Sequence, residues 1–405
     1  MSRRGRERRA SANVERARVA AGRARRAERR GVLLAFGVFG VFWGAWSAVL
    51  PAVQAEFGLD DGQLGFALAA IAVSAVPVMP VAGRLVDRWG TQRVLPACLG
   101  AFALVLALFG VVGGTGSLLI WLLLLGAATG ALDVVANAGA ATWERVERDR
   151  LLSVAHGAFS VGVLVGSAGA GLARELGAGP VAIVFVVGVL VLAVGSTQPA
   201  YRRSLADGRE RAGRRLPRLL VLVGLLTAGA FFIEDALQSW SALHLERGLG
   251  ATPAVSGLGP GLYAGAMAAG RLAGGALSRR FEEARLLAAF SCLLGLCITV
   301  TVLARSPAVA LVGLTLAGAG TSVLAPVLYS AVGSRAPAGR EGSDLAAVTA
   351  LGYIGFVAGP PSVGVLSGAF SLPVALGALG LVAAAMAVCG PLVLRGSSSA
   401  PEGRR

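Results

Sequence analysis

The sequence predicts an all-α membrane protein with twelve transmembrane helices in two pseudo-symmetric six-helix halves. Composition is the first observation behind this prediction, because apolar types make up 55% of the 405 residues and charged types only 15%. The second is the recurrence of apolar segments of roughly 20 residues, each long enough to cross about 30 Å of hydrocarbon as a helix. These segments lack the alternating pattern of membrane-spanning strands. The third observation is the placement of arginine between the segments.

The predicted spans follow one another along the whole chain, near residues 31–53, 64–83, 94–113, 117–142, 151–173, 179–197, 217–243, 253–277, 286–304, 307–333, 344–367 and 372–394. The first span has no small-residue cleavage site close behind it, so we expect a retained helix and not a signal peptide. The 58 glycines suit close packing of helices in lipid. The four cysteines fall inside these spans without metal-ligand spacing, so we interpret them as small core residues.

Arginine predicts the orientation of the spans. All 37 basic residues are arginine, and all but Arg174, Arg247 and Arg305 fall at the chain ends and in every second loop. We call the side of the bundle with these many arginines the arginine-rich face and the opposite side the arginine-poor face. The positive-inside rule makes the arginine-rich face cytoplasmic. We therefore expect a multi-pass protein of the bacterial plasma membrane with both termini in the cytoplasm.

Polar stretches divide the chain into segments. We expect residues 1–30 to form a disordered, basic cytoplasmic tail that orients the chain and contacts anionic lipid. Nucleic acid is not an expected partner, because the tail lacks interleaved aromatic residues. Residues 198–216 form the longest polar interruption, a linker between an N-terminal half at 31–197 and a C-terminal half at 217–395. Residues 396–405 form the C-terminal tail.

The two halves echo each other in sequence. Gly83-Arg84-Leu85 closes the second span, and Gly270-Arg271-Leu272 lies late in the eighth, which is the equivalent span of the second half. A duplicated six-helix unit is common in secondary transporters, where the binding site lies between the halves.

The loop after the second span reads Gly83-Arg84-Leu85-Val86-Asp87-Arg88-Trp89-Gly90-Thr91-Gln92-Arg93. It resembles the signature loop of the major facilitator superfamily, Gly-x-Leu-x-Asp-Arg-x-Gly-x-x-Arg, and the resemblance extends over residues 31–395. The resemblance implies the twelve-helix fold and a gate role for Asp87, which helps hold the cytoplasmic side closed. We assign to this gate Gly83, Asp87, Arg88, Gly90, Arg93 and Arg271. A basic loop that only sets topology is the alternative.

Two further stretches narrow the resemblance. They are Asp133-Val134-Val135-Ala136-Asn137-Ala138 with His156-Gly157-Ala158-Phe159-Ser160, and Phe232 through Trp240. Together they resemble a branch of the superfamily that contains rhizopine-type transporters and many uncharacterised bacterial members. The substrates of that branch are mostly unknown, so the branch implies little chemistry.

Polar residues inside the spans predict a central cavity. The fourth span carries Asp133 and Asn137 on one face, the fifth carries His156 and Ser160, and the seventh carries Glu234, Asp235 and Gln238. The resemblance makes the third, sixth, ninth and twelfth spans outer helices, and these have no charge in their interiors. A charge at membrane depth is costly and usually faces a wet cavity or a partner. The arrangement therefore predicts transport of a polar solute.

A buried carboxyl can load and release a proton, so Asp133, or else Glu234, is a candidate proton carrier. His156 is a further candidate for proton transfer. The alternative for Asp133 and His156 is a structural hydrogen bond between helices. We expect His244, at the end of the seventh span, to be solvated.

Aromatic residues in the inner spans are candidates for the wall of a substrate cavity, since indole faces stack on sugar rings and on cations. They are Trp43, Trp46, Trp240, Tyr329 and Tyr353. Packing or anchoring at the membrane interface is the alternative. The glycine-rich run Gly162–Gly171 resembles the fifth-helix motif of drug/proton antiporters, with Ser167 in the place of its proline, and close helix packing explains it equally well.

Signals for catalysis are missing from the sequence, so we do not expect an enzyme, a cofactor or a metal site. The expected function is proton-coupled transport of a small polar solute, such as a sugar, polyol or amino sugar, by alternating access. An exporter of lipophilic or cationic compounds is one alternative, and a membrane sensor or scaffold without turnover is another. We expect a monomer.

Overall fold

We describe the protein from a computed structural model, in which the described residues are 3–147, 151–199, 217–336 and 340–396. Twelve long helices occur in this part of the chain. They are α1 Arg3–Glu56, α2 Asp61–Trp89, α3 Thr91–Ala107, α4 Thr115–Glu147, α5 Leu151–Glu175, α6 Pro180–Ser196, α7 Arg218–Leu243, α8 Leu258–Leu277, α9 Glu283–Leu303, α10 Pro307–Arg335, α11 Glu341–Ala369 and α12 Leu372–Gly396. The α10 helix is interrupted between Thr321 and Leu324.

Ten of the helices in the described residues are long and apolar enough to cross a membrane. The apolar helix α6 is shorter, with 17 residues. Long apolar runs of Leu, Val and Ala satisfy their backbone hydrogen bonds internally as helices, which is what a bilayer interior requires. The helices coincide closely with the predicted spans, and the predicted fold class is confirmed.

The helix packing repeats between the two halves. In the first half, α1 packs on α5, α2 on α4 and α3 on α6; in the second, α7 packs on α11, α8 on α10 and α9 on α12. These pairings correspond one to one when α7 is superposed on α1 in chain order. The halves meet along two further pairings that are also equivalent, α2 with α11 and α5 with α8. The predicted duplication of a six-helix unit is therefore present in the packing.

The N-terminal tail differs from the prediction. Residues 1–30 were expected to be disordered, but α1 is continuous from Arg3 to Glu56. The reason is composition, since Arg, Ala and Glu are strong helix formers and the segment before Pro51 contains no proline. The segment also extends an existing helix and needs no nucleus of its own. Its Arg25 forms an ion pair of 3.2 Å with Glu147 at the end of α4.

The predictions for the linker and for the C-terminal tail fall mostly on residues outside the described part of the chain. Residues 200–216 of the linker and 397–405 of the C-terminal tail lie outside the described residues.

One local feature fixes the start of α2. The Asp60 carboxylate accepts from the Gln63 backbone N–H at 2.7 Å, and the Gln63 side chain accepts from the Asp60 N–H at 3.0 Å. This reciprocal capping box satisfies two backbone donors that a helix start leaves without partners. It thereby holds the first turn of α2, which carries Asp61, in a fixed position.

Candidate functional site

A cluster of polar side chains lies between the two halves. It draws on α4 and α5 from the first half and on α7, α8, α10 and α11 from the second. Its predicted members are Asp133, Asn137, His156, Glu234, Asp235, Arg271, Tyr329 and Tyr353. The structure adds Tyr263, Thr321 and Thr349, which the sequence did not single out.

Asp133 lies near the middle of α4 and connects the halves. The Asn137 amide donates to the Asp133 carboxylate at 3.0 Å, as expected for residues one helical turn apart. The Tyr353 hydroxyl of α11 donates to the other carboxylate oxygen at 3.3 Å. Asp133 forms no ion pair with a described arginine, so its hydrogen bonds come from neutral donors alone. Asp133 as a whole is half-buried.

The negative charge of Glu234 is balanced by an arginine. Its buried carboxylate lies 3.5 Å from the guanidinium of Arg271, which projects from α8. Arg271 was predicted as part of the cytoplasmic gate, and in this conformation it pairs inside the helix bundle instead. The neighbouring Asp235 is half-buried and forms no hydrogen bond or ion pair with another described residue. The cluster thus holds more carboxyl groups than cations.

His156 faces the same space from α5. Its ring is exposed and packs edge-on against Phe36 at 5.2 Å between ring centroids. Ser160, one turn further along, donates to the His156 backbone carbonyl at 3.1 Å and is buried, so its hydroxyl is satisfied within α5.

Two hydroxyl pairs lie in the second half next to the polar cluster, one of them buried. The Tyr263 hydroxyl donates to Thr321 at 2.9 Å beside the interruption in α10. The Thr349 hydroxyl donates to Tyr329 at 3.3 Å. Tyr263 was missed because a lone tyrosine in an apolar span has the same sequence context whether it packs or lines a cavity.

The candidate tryptophans separate into two groups. Trp46 is buried against Phe42, Phe109 and Trp121 within the first half, and Trp240 is fully buried in α7. Neither indole is brought to the polar cluster, and each packs between helices. Trp43 is half-buried, as is Gln238 in α7, so these two keep some exposure.

Two ion pairs join the halves at the arginine-poor face. Arg174 lies at the end of α5. Both terminal nitrogens of its guanidinium donate hydrogen bonds to the carboxylate of Glu246, just beyond α7, at 2.9 and 2.8 Å. Arg174 also donates to the backbone carbonyl of Ala48 in α1 at 2.9 Å. A bidentate guanidinium–carboxylate pair is both strong and geometrically specific. The pair therefore fixes α5 to the end of α7.

In the second ion pair the arginine comes from the second half and the carboxylate from the first half. Arg247, next to Glu246, donates to Asp61 at the start of α2 and to the Gln54 side chain at 2.8 Å. Gln54 donates in turn to Asp61 at 2.7 Å, and Ser367 of α11 also donates to Asp61. Asp61 consequently receives donors from three elements, two of them in the second half. We call the two pairs, Arg174–Glu246 and Arg247–Asp61, the double latch.

Glycines bring the helix backbones together beside the double latch. A Cβ added to Gly171 of α5 would lie 2.6 Å from the Pro253 carbonyl and 3.0 Å from the Gly257 Cα. A Cβ added to Gly65 of α2 would lie 2.7 Å from the Pro360 carbonyl of α11. Real side chains do not approach backbone so closely, so only glycine fits these two seams. Both seams lie in the half of the bundle towards the arginine-poor face.

The same two helices have no such close glycine contact at their other ends. A Cβ added to Gly83 of α2 or to Gly157 of α5 would meet nothing within 4 Å. Asp87, Arg88 and Arg93 of the signature loop are exposed, and Asp87 forms no ion pair with another described residue. Gly90 ends α2 with φ +77°, a backbone conformation that favours glycine. The predicted latch through Asp87 is thus not formed in this conformation, and its role in the opposite one stays a prediction.

The glycines of the run Gly162–Gly171 pack both within the first half and against the second half. Cβ atoms on Gly162 and Gly166 would overlap the backbone of α1 in the same half, whereas Gly171 contacts the other half. Ser167, in the place of the motif's proline, is fully buried at the seam with α8. Close packing accounts for these residues.

Two six-helix halves that enclose a polar cluster and are joined by ion pairs at one face have the architecture of a membrane transporter. Solved transporters share it. The nucleoside transporter NupG, solved as a mutant, is similar with a TM-score of 0.75 at 9% identity, covering 91% of this chain and 99% of its own. A bacterial homolog of the human lysosomal transporter Spinster, inward-facing and unoccupied, gives 0.73 at 16% identity, covering 92% and 97%. The D-xylose-proton symporter gives 0.71 at 15% identity, covering 91% and 96%.

The family model described as Major Facilitator Superfamily matches residues 32–303 and 220–405. The chain belongs to this superfamily. An uncharacterized MFS-type transporter of Yersinia pestis is 30% identical over 366 residues, 89% of this chain and 94% of the relative. The Membrane protein MosC of Rhizobium meliloti is 27% identical over 347 residues, 85% of each. These relatives confirm the predicted family and branch, and they are transporters or membrane proteins and not enzymes.

Sequence reasoning missed the double latch entirely. One signal for it was available, because Arg174 and Arg247 are two of the three arginines on the arginine-poor face. An arginine that runs against the charge rule requires a local reason, and an acidic partner is the simplest one. The identity of the partner was out of reach, since Arg247 and Asp61 lie 186 residues apart in sequence.

Proposed function

We propose that this protein is a secondary active transporter that carries a small polar solute across the bacterial plasma membrane by alternating access. One observation supports this above the others. The polar cluster lies between two halves that are latched at the arginine-poor face, whereas Gly83 and Gly157 towards the arginine-rich face have no close neighbours. A site with one closed and one open side is what alternating access around a fixed midplane site requires.

The charge rule gives the direction in which the site opens. If the arginine-rich face is cytoplasmic, the double latch closes the periplasmic side and the conformation is inward-facing. Both termini then lie in the cytoplasm, where the arginine-rich start of α1 meets anionic lipid headgroups. We propose a monomer as the functional unit, since each chain holds a complete site between its own halves.

Asp133 is the proposed proton carrier. Its hydrogen bonds come from the neutral groups of Asn137 and Tyr353, so proton loading breaks no ion pair. Protonation removes the negative charge that strengthens the bond from Tyr353. The connection between α4 and α11 then weakens, which couples the proton to the relative position of the halves. Glu234, held by Arg271, is the second candidate.

A sugar, polyol or amino sugar fits the wall of the cluster. Hydroxyl and amide groups from Asn137, Tyr329 and Tyr353, together with Trp43, offer the mixture of hydrogen bonds and aromatic surface that such solutes need. The names of the structural neighbours, a D-xylose-proton symporter and a nucleoside transporter, point to solutes of similar size.

A second candidate function is supported by charge. Asp133 and Asp235 have no cationic partner among the described residues, so a positively charged compound would balance the cluster. A proton-driven exporter of cationic compounds is therefore the alternative.

A thermal-shift screen of the detergent-purified protein tests these candidates. A ligand that binds only the folded state raises the melting temperature by mass action. We expect stabilisation by a sugar, polyol or amino sugar that is lost in Asp133→Asn, followed by pH-driven uptake of that solute into proteoliposomes. Stabilisation by hydrophobic cations alone would favour the exporter. Uptake that remains pH-driven in Asp133→Asn would remove Asp133 from the mechanism, and a bound solute that is never transported would favour a sensor.

A further inference from the structure

His244 ends α7 and is buried, contrary to the solvated position expected from sequence. Its side chain is 1% exposed, and Nε2 lies 3.1 Å from the backbone carbonyl oxygen of Thr301 in α9. Because a carbonyl only accepts, Nε2 carries the hydrogen and donates. Thr301 lies in the last turn of α9, where carbonyls lack partners within the helix. His244 therefore satisfies the end of α9 and fixes the end of α7 to it.

The chain leaves α7 through a π-helical turn, His244–Gly248. This turn carries Glu246 and Arg247, the second-half members of both ion pairs in the double latch. One five-residue turn thus presents opposite charges to two different targets in the first half. Its position decides whether either pair can form.

The turn is held on the second half by the buried Leu245 side chain and by a small set of hydrogen bonds. Besides the bond from His244, the Ala251 N–H donates to the Leu245 carbonyl at 3.0 Å, and the Ser256 hydroxyl donates to Glu246 at 2.9 Å. Gly248 lies over the His244 ring, since a Cβ there would come within 3.3 Å of Nδ1. Of these hydrogen bonds, the one from His244 reaches a neighbouring membrane-spanning helix, α9.

We infer that His244 is a positioning residue that holds the π-helical turn on α9, so that both ion pairs of the double latch form and break together. The inference rests on the proposed alternating access, because a latch has a function only if the two halves separate. The inference concerns the closed state of the arginine-poor face. It can therefore be tested without knowing the solute or the coupling ion.

The test measures the distance across the arginine-poor face by double electron–electron resonance. Spin labels at Leu176→Cys and Phe370→Cys, both exposed and one in each half, report the separation in a background whose native cysteines are replaced by alanine. His244→Leu removes the donor, and His244→Gln keeps an amide N–H to reach Thr301. Leu294→Ala, a fully buried change in α9, is the control for lost stability.

We expect His244→Leu to lower the closed-to-open ratio roughly fivefold, the effect of losing one hydrogen bond. His244→Gln should recover most of the closed population, and Leu294→Ala should lower the melting temperature without moving the distances. The inference is overturned if His244→Leu leaves the distribution of the parent protein, or if Leu294→Ala opens the face equally.

A second comparison separates positioning from direct stabilisation. Adding His244→Leu to a variant that already carries Glu246→Gln and Arg247→Gln should change the ratio little, because residues that act through one contact are not additive. A full additive effect would show that His244 acts by another route and would overturn the inference. If no solute raised the melting temperature in the thermal-shift screen, the proposed function would lose support. The distances between the spin labels would still test the role of His244.

Discussion

The acidic residues inside the bundle differ in how their charge is balanced. Glu234 has a guanidinium partner in Arg271, whereas Asp133 has only neutral donors and Asp235 has none among the described residues. A carboxylate paired with arginine is held in its charged form, and a carboxyl with neutral partners can exchange a proton at less cost. The geometry thus favours Asp133 over Glu234 as the proposed proton carrier, while Glu234 pairs with Arg271.

The Glu234–Arg271 pair leads to a prediction about stability. Arg271→Met leaves a buried carboxylate without its partner, so we expect a loss of about 1–3 kcal/mol, less than for a fully buried pair because Arg271 is partly exposed. The double variant Arg271→Met with Glu234→Gln should recover part of the loss, since no uncompensated charge remains. Melting temperatures of the purified variants measure both effects. Arg280→Met, an exposed arginine of the next loop, is the control and should change little.

At the scale of helices, the contact between the halves depends on two equivalent glycine seams. Gly171 of α5 meets the segment before α8, and Gly65 of α2 meets α11 near Pro360 and Gly364. Helices pack closely in lipid through such small residues, because lipid gives no hydrophobic force that drives them together. The seams therefore determine how far the arginine-poor face can close.

Two glycines of α5 offer a matched test of this point. Gly171→Ala places a Cβ against the Pro253 carbonyl, whereas a Cβ at Gly169 meets nothing within 4 Å. We expect Gly171→Ala to destabilise the closed state by about 1–3 kcal/mol, the cost of overpacking, and Gly169→Ala to leave it unchanged. The readout is the rate at which a membrane-impermeant maleimide, added at the arginine-poor face, labels Gln238→Cys. Equal rates in the two variants would mean that the seam does not limit closure.

For the molecule as a whole, the sequence predicted what depends on local pattern. The spans followed from hydropathy, and Asp133 with Asn137 followed from helical spacing. Contacts between distant segments were not predictable, since nothing near Asp61 in the chain identifies Arg247 or Ser367 as its partners. Residues 3–30 were misjudged because a high density of charge was weighed above the helix propensity of arginine and alanine. His244 was misjudged because its burial is set by α9, a separate element.

Orientation is a whole-molecule property that the arginine distribution predicts. Alkaline phosphatase needs disulfides and is active only in the oxidising periplasm. Fused after Gly396 it should be inactive, and inserted at Gly177 in the loop after α5 it should be active, whereas a fluorescent protein at the C terminus should fluoresce. The reverse pattern would place the double latch in the cytoplasm and make the described conformation outward-facing.

The opposite polarity of the two ion pairs allows a test that leaves composition and net charge unchanged. Exchanging the neighbours, Glu246→Arg with Arg247→Glu, makes both pairs of the double latch repulsive at once. We expect the arginine-poor face to open and uptake to fall by at least about tenfold, since each lost pair is worth roughly 1 kcal/mol or more near a protein surface. Adding Arg174→Glu and Asp61→Arg restores opposite charges in both places and should recover the closed face in distance measurements. Recovery need not be complete, because Gln54 and Ser367 are oriented for a carboxylate at position 61. If the exchange alone left the distances as in the parent protein, the glycine seams would be holding the face closed without the ion pairs.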